Sequence, residues 1–363
     1  MTALNQNLSN GIYIVLAVIM FGILITIHEA GHFWAARLSK IPVREFAIGF
    51  GPKIFGWKSK KHETDFSIRI IPMGGFCAFY GEDDGSEEAK ADPRYFGNFS
   101  ALKRLATILA GPVMNVVLAF IVAVAFFALS GIPTITGPAS TTVQSVNENG
   151  PAAVAGVQAF DKIISVNGTP VTDNVSELIN EATREGEAML QILVDRPGKG
   201  EMMLEVTPLY DQSARRYMMG VSLMTSVPQE WRPGSLMEML SSAAQMCVET
   251  STGILKVLGN LVFRGQGLNE LTGFVGVTET IVQTTKSSQL PGYLYLMCMI
   301  SINLGLFNML PIPGLDGSRI IFLLIEAVRG KPFKREGYVH AFGMILLFAL
   351  MIWVNLRDIL RLF

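Results

Sequence analysis

Residues 11–32 read GIYIVLAVIMFGILITIHEAGH, an unbroken apolar run that ends in two histidines and a glutamate. No charged residue precedes His28, and at about 1.5 Å per helical residue the run is long enough to cross most of a bilayer. A cleaved signal peptide needs a basic segment before its apolar run, and none is present here. The stretch therefore predicts an uncleaved membrane span, assigned to residues 11–37.

The composition of the whole chain favours the same class of protein. Half of the 363 residues are hydrophobic and only 16% are charged, against about 25% charged residues in a typical soluble domain. A net charge of −1 gives no basis for a nucleic-acid partner. The three cysteines have no close spacing, so neither a disulfide framework nor a thiolate metal site is expected.

Three further apolar runs reach the length of a membrane span. These predicted spans are residues 105–129, 293–313 and 338–356. Basic residues then set the orientation, because positively charged loops remain in the cytoplasm. Loops 37–104 and 317–336 carry 12 and 5 basic residues, whereas the much longer segment 131–292 carries 10. We therefore expect both termini and segment 131–292 on the outer side of the membrane.

The segments between the spans differ in character. Residues 131–227 contain short alternating stretches and turns such as Asn167-Gly168, which predict a small water-soluble β-rich domain. Residues 236–262 have apolar side chains at helical spacing, interrupted by charges, and predict an amphipathic helix that does not span the bilayer. The membrane core is then formed by residues 1–130 and 287–363.

The loop at residues 41–80 is unusually apolar for a connection between spans. Its alternating pattern and its glycines, at Gly49-Phe50-Gly51 and Gly74-Gly75, predict β-structure with tight turns. A β-hairpin dipping into the membrane interface is one interpretation, and a small cytosolic hairpin is the other. The expected fold class is a polytopic α-helical membrane protein with four transmembrane helices, an inserted β-rich domain and a membrane-associated β-hairpin loop.

The sequence His28-Glu29-Ala30-Gly31-His32 carries the clearest chemical signal. Residues four apart lie on one face of a helix, so both imidazoles can bind one Zn²⁺ ion. Glu29, between them, is placed to activate water as a general base. The alternative is a polar helix end in the headgroup region, which accounts for one such residue but not for two histidines at ligand spacing.

A catalytic zinc site takes a third protein ligand, for which the sequence offers three candidates. His62 lies among lysines and is typical of a solvated surface. His340 lies near the cytoplasmic start of the fourth span and stays open as an alternative. Asp316 follows the third span in a Pro- and Gly-rich run and reaches the same leaflet as the histidine pair, so it is the favoured ligand. The alternative for Asp316 is a helix-terminating Asp-Gly turn.

Several motifs together resemble the site-2 protease family of intramembrane zinc metalloproteases, in particular the bacterial regulator of sigma-E proteases. The HExxH sequence, the run NMLPIPGLDG at 308–317 and the order of the four spans carry this resemblance. The inserted domain resembles a PDZ domain at NGPAAVAG, 149–156, and DKIISVNG, 161–168. Shorter matches to the same group are GFG at 49–51, GPVMN at 111–115 and LTGFVG at 271–276.

The resemblance implies an inner-membrane zinc endopeptidase that cuts single-span proteins, such as anti-sigma factors or remnant signal peptides, after a first cut. It implies that Asn308 contacts the substrate backbone and that the loop containing Gly49, Phe50 and Gly51 pairs with an extended substrate. Asn115 is a second candidate of this kind, with a hydrogen bond between helices as its alternative. Peptide C-termini are a possible ligand of the PDZ-like domain.

This chain departs from the family pattern in three places. It has room for one PDZ-like domain, Phe160 stands where that domain usually has glycine, and Phe274 stands where relatives often have proline. Two other functions compete with proteolysis. A membrane scaffold with the same fold would have lost Glu29 or a ligand, and a zinc transporter would need ionisable residues through both leaflets. Neither feature is seen, so the sequence favours the protease.

Overall fold

The computed structural model describes residues 3–60, 63–82, 86–137, 139–147, 150–171, 175–183, 188–211, 216–265, 273–330 and 336–361. The chain forms two compact units. One contains Met1–Gly131 together with Gly234–Phe363, and the other is Ile132–Pro233, inserted between them.

The first part of the chain alternates long helices with a small sheet. Its elements are α1 (Ala3–Leu38), β1 (Val43–Lys58), β2 (Asp65–Phe79), α2 (Glu87–Ala91) and α3 (Ala101–Ser130). The two long helices are apolar along their length, and α3 contains Pro112 in its interior. They pack side by side in the membrane unit.

The strands β1 and β2 are both long and bend back on themselves, so they pair over several segments. Glu45–Ile48 pairs with Gly75–Ala78 and is also in register with Asp65–Ile68, while Lys53–Lys58 pairs with Asp65–Arg69. The segment Gly75–Phe79 therefore lies at one edge of this sheet. Ile54, Phe55 and Trp57 at the opposite edge are 66%, 60% and 52% exposed, an apolar patch suited to a membrane interface.

The inserted unit is a β-rich domain with its own apolar core. Its elements in chain order are β3 (Ile132–Ile135), β4 (Ser140–Val146), α4 (Pro151–Val154), β5 (Lys162–Val166), β6 (Thr169–Pro170), α5 (Val175–Ala182), β7 (Leu190–Arg196), β8 (Gly200–Val206), β9 (Leu209–Asp211), β10 (Arg216–Met218), β11 (Val221–Ser226) and β12 (Gln229–Arg232). The main sheet has the order β11-β4-β5-β7-β8, with β6 paired to β5. Alternate residues of β7, namely Leu190, Ile192 and Val194, point into the core.

The last part of the chain is helical: α6 (Leu236–Arg264), α7 (Phe274–Asn308), α8 (Asp316–Arg329) and α9 (Glu336–Arg361). Ser235 and Glu238 form a capping box that begins α6. The first turn of α7 is capped from α9, because Asp358 Oδ2 accepts the Gly273 N–H at 2.7 Å and Asn355 Oδ1 accepts the Val275 N–H at 3.0 Å.

The described residues contain four helices long and apolar enough to cross a membrane, which confirms the predicted fold class. They are Gly11–Leu38, Ala101–Ser130, Phe274–Asn308 and Gly337–Leu360. The third differs from the predicted span 293–313. It begins earlier, contains a break at Gln289 next to Pro291, and ends at Asn308. The amphipathic α6 is not among the four.

Helix α8 is a second departure from the sequence analysis, which treated residues 317–336 as a loop. With 14 residues α8 is too short for a span, so a search for long apolar runs passes over it. Asp316 thus begins a separate helix instead of ending the third span. The segment between α7 and α8 turns through Pro311, Pro313 and Gly314, which cannot continue a regular helix.

Candidate metal centre

Helix α1 presents two buried histidine side chains on one face. His28 and His32 are one turn apart and are only 6% and 7% exposed. Their Nε2 atoms lie 3.2 Å apart, with the two rings nearly perpendicular. Two ring nitrogens this close present their lone pairs to one shared point.

Asp316, the first residue of α8, lies at the same point. Its Oδ2 is 3.1 Å from His28 Nε2 and 3.3 Å from His32 Nε2. Among the described residues these three side chains form the one group of three or more that can hold a metal ion. The structure therefore brings together both histidines and the aspartate that the sequence singled out.

The three distances fit a zinc ion. Zinc ligands at 2.0–2.2 Å in tetrahedral geometry are about 3.3 Å from one another, close to the three separations found here. Asp316 Oδ2 is buried and makes no hydrogen bond, as expected of an atom whose partner is a metal.

Helix α3 contacts the outer nitrogen of each histidine. His32 Nδ1 lies 2.9 Å from the carbonyl oxygen of Thr107, and His28 Nδ1 lies 3.0 Å from Nδ2 of Asn115. The Asn115 side chain is fully buried, and its Oδ1 has no hydrogen-bond partner. The Asn115 backbone carbonyl accepts a hydrogen bond from the Ser301 hydroxyl of α7 at 2.7 Å. These contacts match the interhelical alternative for Asn115. The Thr107 contact is made by a backbone atom, so no side-chain pattern could have revealed it.

Gly111 explains why α3 approaches the histidine pair so closely. A Cβ added at this position would overlap the His32 imidazole ring. On α1, a Cβ at Gly31 would likewise overlap the Ala110 carbonyl. The motif GPVMN at 111–115 therefore combines a glycine that makes room for one ligand with an asparagine that contacts the other.

Glu29 faces the edge of the small sheet. The Cys77 backbone lies near the Glu29 carboxylate, and a Cβ built at Gly75 would lie 3.3 Å from Glu29 Cγ. The general-base candidate thus lies between the metal ligands and the edge segment Gly75–Phe79.

The remaining predicted site residues lie around this centre or outside the described part of the chain. Asn308 is the half-buried last residue of α7, and Gly49, Phe50 and Gly51 lie in β1. The Phe50 ring stacks on Phe76 of the edge segment, with ring centroids 6.4 Å apart. His340 is not in the metal-ligand group. His62 is not among the described residues.

His340 instead supports the turn before Asp316. Its Nδ1 accepts the Gly314 N–H at 3.3 Å and lies 3.5 Å from the Ser318 hydroxyl. The ring therefore contacts the connection that carries the third ligand. The sequence made His340 a candidate ligand because of its predicted depth in the membrane. A metal ligand and a residue that supports it lie at the same depth, so depth does not distinguish them.

The inserted unit has a groove between α5 and the start of β11. It is lined by Ile179, Asn180, Tyr217, Met218, Met219, Gly220, Val221 and Leu223. Strand β11 is at the end of the sheet order. Phe160, where the PDZ pattern has glycine, is 70% exposed and has a φ of 73°, a left-handed conformation that favours glycine.

Comparison with known proteins identifies the chain. The family model described as Peptidase family M50 matches residues 16–351. A candidate zinc metalloprotease of Clostridium acetobutylicum is 34% identical over 351 residues, covering 95% of this chain and 97% of that protein. The regulator of sigma-W protease RasP of Bacillus subtilis is 29% identical over 425 residues, covering 95% and 98%.

Zinc metalloprotease RasP of Bacillus licheniformis is 30% identical over 433 residues, again with 95% of this chain and 98% of the relative covered. Among solved structures, the PDZ domain of an SdrC-like protein from Listeria monocytogenes matches 23% of this chain and 85% of its own, with 20% identity and a TM-score of 0.20. The chain belongs to peptidase family M50, the site-2 protease family, and is a zinc metalloprotease of the membrane.

Proposed function

We propose that this metalloprotease cuts single-span membrane proteins within the bilayer, after an earlier cut has removed their outer domain. One observation carries the proposal: His28, His32 and Asp316 converge on one point beside Glu29, on helices that pack among candidate membrane spans. Ionisable groups at such depth are costly and are retained for function.

The roles of the side chains follow from their positions. His28, His32 and Asp316 hold the zinc ion, which when bound supplies Lewis-acid polarisation of water and of the scissile carbonyl. Glu29 accepts a proton from the attacking water and then delivers it to the leaving amine nitrogen. Glu29 is not in the ligand group, so it remains available for proton transfer.

Each histidine must present the lone pair of Nε2 to the metal, so its proton must lie on Nδ1. The Thr107 carbonyl accepts a hydrogen bond from Nδ1–H of His32. Asn115 does the same for His28 once its amide turns Oδ1, which has no partner, toward Nδ1. We therefore assign Asn115 to the support of His28 in preference to substrate contact.

The edge segment Gly75–Phe79 provides the place for the substrate. A helical peptide shields its backbone, so it must be extended before water can attack, and pairing with an edge strand extends it. Glu29 lies against this edge. Phe50 supports it from β1 through its stacking on Phe76, and Asn308 binds substrate backbone at the end of α7.

Anti-sigma factors and remnant signal peptides are the substrate classes that we assign, and the Bacillus subtilis relative is named for sigma-W regulation. We place the protein in a bacterial inner membrane. The excess of basic residues in loops 37–104 and 317–336 orients the catalytic centre toward the cytoplasm and the inserted unit toward the periplasm.

A comparison of membrane proteomes tests this function. Glu29→Gln preserves size and hydrogen bonding but removes the base, so single-span fragments with trimmed outer domains should accumulate while purified protein keeps its zinc. Glu88→Gln, at an exposed position of α2, is the control and should match wild type. Equal fragment levels in Glu29→Gln and wild type would favour the alternative of an inactive scaffold.

For the inserted unit we infer a role in substrate selection, either by excluding bulky outer domains or by binding a newly formed C-terminus. Exclusion is our first choice. The apolar groove beside the terminal strand β11 favours peptide binding as the second candidate, since an extended peptide can pair with an edge strand and insert an apolar side chain.

Replacing residues 141–223 with a flexible linker distinguishes the two roles. Under exclusion, substrates that still carry their outer domain become cleavable, and a pre-trimmed substrate is still cut. Under peptide binding, intact substrates stay uncut and cleavage of the trimmed substrate slows. The second result would contradict exclusion.

A further inference from the structure

Helix α8, which carries Asp316, is tied to the rest of the membrane unit at both ends by ion pairs. Near its start, Arg319 pairs with Glu82, with side chains 22% and 14% exposed. Near its end, Glu326 receives two hydrogen bonds from Arg104, at 2.5 Å and 3.1 Å, with the pair 18% and 9% exposed. A part-buried ion pair fixes geometry more firmly than an exposed pair, and a bidentate pair such as Arg104–Glu326 does so most firmly.

The two partners belong to the elements that contact the rest of the catalytic centre. Arg104 lies on α3, one turn before Thr107, whose carbonyl contacts His32. Its guanidinium also donates to the Phe99 carbonyl at 3.0 Å, which limits its orientation. The pair Arg104–Glu326 therefore fixes the position of α8 relative to α3, the helix that contacts the histidines.

Glu82 makes the corresponding link to the substrate edge. Its carboxylate accepts a hydrogen bond from the Phe79 N–H at 3.3 Å, at the end of the edge segment that lies against Glu29. Through Arg319, one helical turn from Asp316, this segment is joined to α8. The pair Arg319–Glu82 therefore fixes the position of Asp316 relative to Glu29 and the edge segment.

Asp316 needs such support because of where it lies in the chain. It is the first residue of α8 and follows the turns at Met309–Leu315, so the regular structure that positions it lies on one side only. A metal ligand must be held within a few tenths of an ångström of its required place. The orientation of α8 decides whether Asp316 Oδ2 reaches the histidine pair.

We propose that the ion pairs Arg104–Glu326 and Arg319–Glu82 are positioning pairs that hold α8 so that Asp316 completes the zinc site. The inference rests on the proposed ligand set and adds four residues to it. These residues touch neither metal nor substrate; they act through the helix that carries the third ligand.

The test measures zinc affinity of the full-length protein in detergent, by competition with a chromogenic chelator. Glu326→Gln and Glu82→Gln keep side-chain size but remove one charge from each pair. Each should weaken zinc binding about tenfold, since loss of outer-shell support typically costs 10–100-fold in metal affinity. Cleavage should fall at low zinc and recover at saturating zinc. The exchange Arg104→Glu with Glu326→Arg should restore part of the affinity lost in Glu326→Gln.

Arg94→Gln is the matched control, because it removes an exposed pair with Asp92 on the same unit; its zinc affinity should equal that of wild type. Thermal unfolding of the zinc-free proteins separates positioning from general stability. Unchanged zinc affinity in both Gln variants would overturn the proposal. So would an affinity loss fully explained by a lower folded fraction of the zinc-free protein.

His32→Ala separates this proposal from the proposed function. If His32→Ala loses zinc while Glu326→Gln and Glu82→Gln bind it like wild type, the ligand set stands and the positioning pairs are wrong. If His32→Ala retains zinc with wild-type affinity, the ligand set itself is wrong.

Discussion

His32 Nδ1 lies 2.9 Å from the backbone carbonyl oxygen of Thr107. A carbonyl can only accept a hydrogen bond, so Nδ1 carries a proton, and the neutral imidazole of His32 then has its lone pair on Nε2. That lone pair faces His28 and Asp316. A backbone atom of one membrane helix thus selects the tautomer that makes a histidine of another helix competent to bind a metal.

The third ligand is tested by comparing Asp316→Asn with His340→Ala. A neutral amide is a poorer zinc ligand than a carboxylate, so Asp316→Asn should lose most of its zinc while keeping its fold. His340→Ala should retain stoichiometric zinc, because His340 contacts the Gly314 turn and is not in the ligand group. Metal analysis of both purified proteins checks this. Full zinc in Asp316→Asn with none in His340→Ala would reverse the assignment.

Asn115→Leu tests whether Asn115 supports His28 or binds substrate. The change preserves volume but removes the contact to His28 Nδ1, so zinc affinity should fall about 10–100-fold. At saturating zinc, the KM for a single-span substrate should stay near that of wild type. Unchanged zinc affinity with a raised KM would instead support the substrate role.

Gly111→Ala tests the close approach of α3 to the ligands. The added methyl group would overlap the His32 ring, so we expect displaced His32, loss of zinc and loss of cleavage. Gly22→Ala is the control, since a Cβ there meets nothing within 4 Å. If Gly111→Ala binds zinc as tightly as Gly22→Ala, the tight fit is not required.

The stability of the inserted unit should fall at low pH, because the Asp161 carboxylate stabilises the fold only while it is ionised. Burial would raise the pKa of Asp161, but hydrogen bonds from Arg196, at 2.7 Å each, and from the Gln158 N–H outweigh it and hold the pKa below its usual 3.8. A carboxyl whose pKa is lowered by folding stabilises the fold above its unfolded pKa and loses that effect as pH falls through the folded pKa.

Thermal unfolding of a fragment covering residues 132–233, which has its own core, measures this effect. Stability should be constant well above pH 4 and should fall progressively below it. Asp161→Asn should be less stable at neutral pH, because it leaves Arg196 without its charged partner, and should lose part of the acid dependence. An acid profile equal to that of wild type would exclude Asp161 as the source.

Phe160→Gly should stabilise the same unit by about 1 kcal/mol, because glycine adopts left-handed backbone angles without the cost that a side chain adds. Phe160 has a φ of 73° and is 70% exposed, so little packing is lost with the ring. Chemical unfolding of the 132–233 fragment measures the difference. Gly156, already glycine at a φ of 82°, offers the reverse experiment: Gly156→Ala should destabilise the unit.

Much of the architecture could be predicted from local pattern. Long apolar runs predicted the four candidate spans, because a helix that crosses lipid must satisfy its backbone internally and expose apolar side chains. The alternating pattern at residues 41–80 predicted β-structure, and β1 and β2 lie there. Interactions within one element extend over a few residues, so a short window of sequence contains them.

Two predictions about the helices, the bounds of the third span and the loop at 317–336, differ from the structure. The predicted span 293–313 missed both the break at Gln289 and the end of α7 at Asn308. The sequence predicted a loop where α8 lies, because 14 residues cannot span a bilayer, although α8 packs against α3. The break in α7 lies two residues before Pro291, and α7 ends before the turn that contains Pro311, Pro313 and Gly314. The packing of α8 against α3 is a contact between distant segments, which the apolar run alone does not record.

The sequence by itself determined that His28 and His32 lie on one helical face with Glu29 between them, since spacing along a helix dictates which residues are neighbours. Only the tertiary structure decided that Asp316, and not His340, meets them, with its Oδ2 3.1 Å from His28. It also placed the Thr107 carbonyl and the Asn115 side chain against the two rings and paired Arg104 and Glu82 with residues of α8. Those contacts join residues 75 to 288 positions apart, through backbone atoms and helix packing that no local spacing encodes.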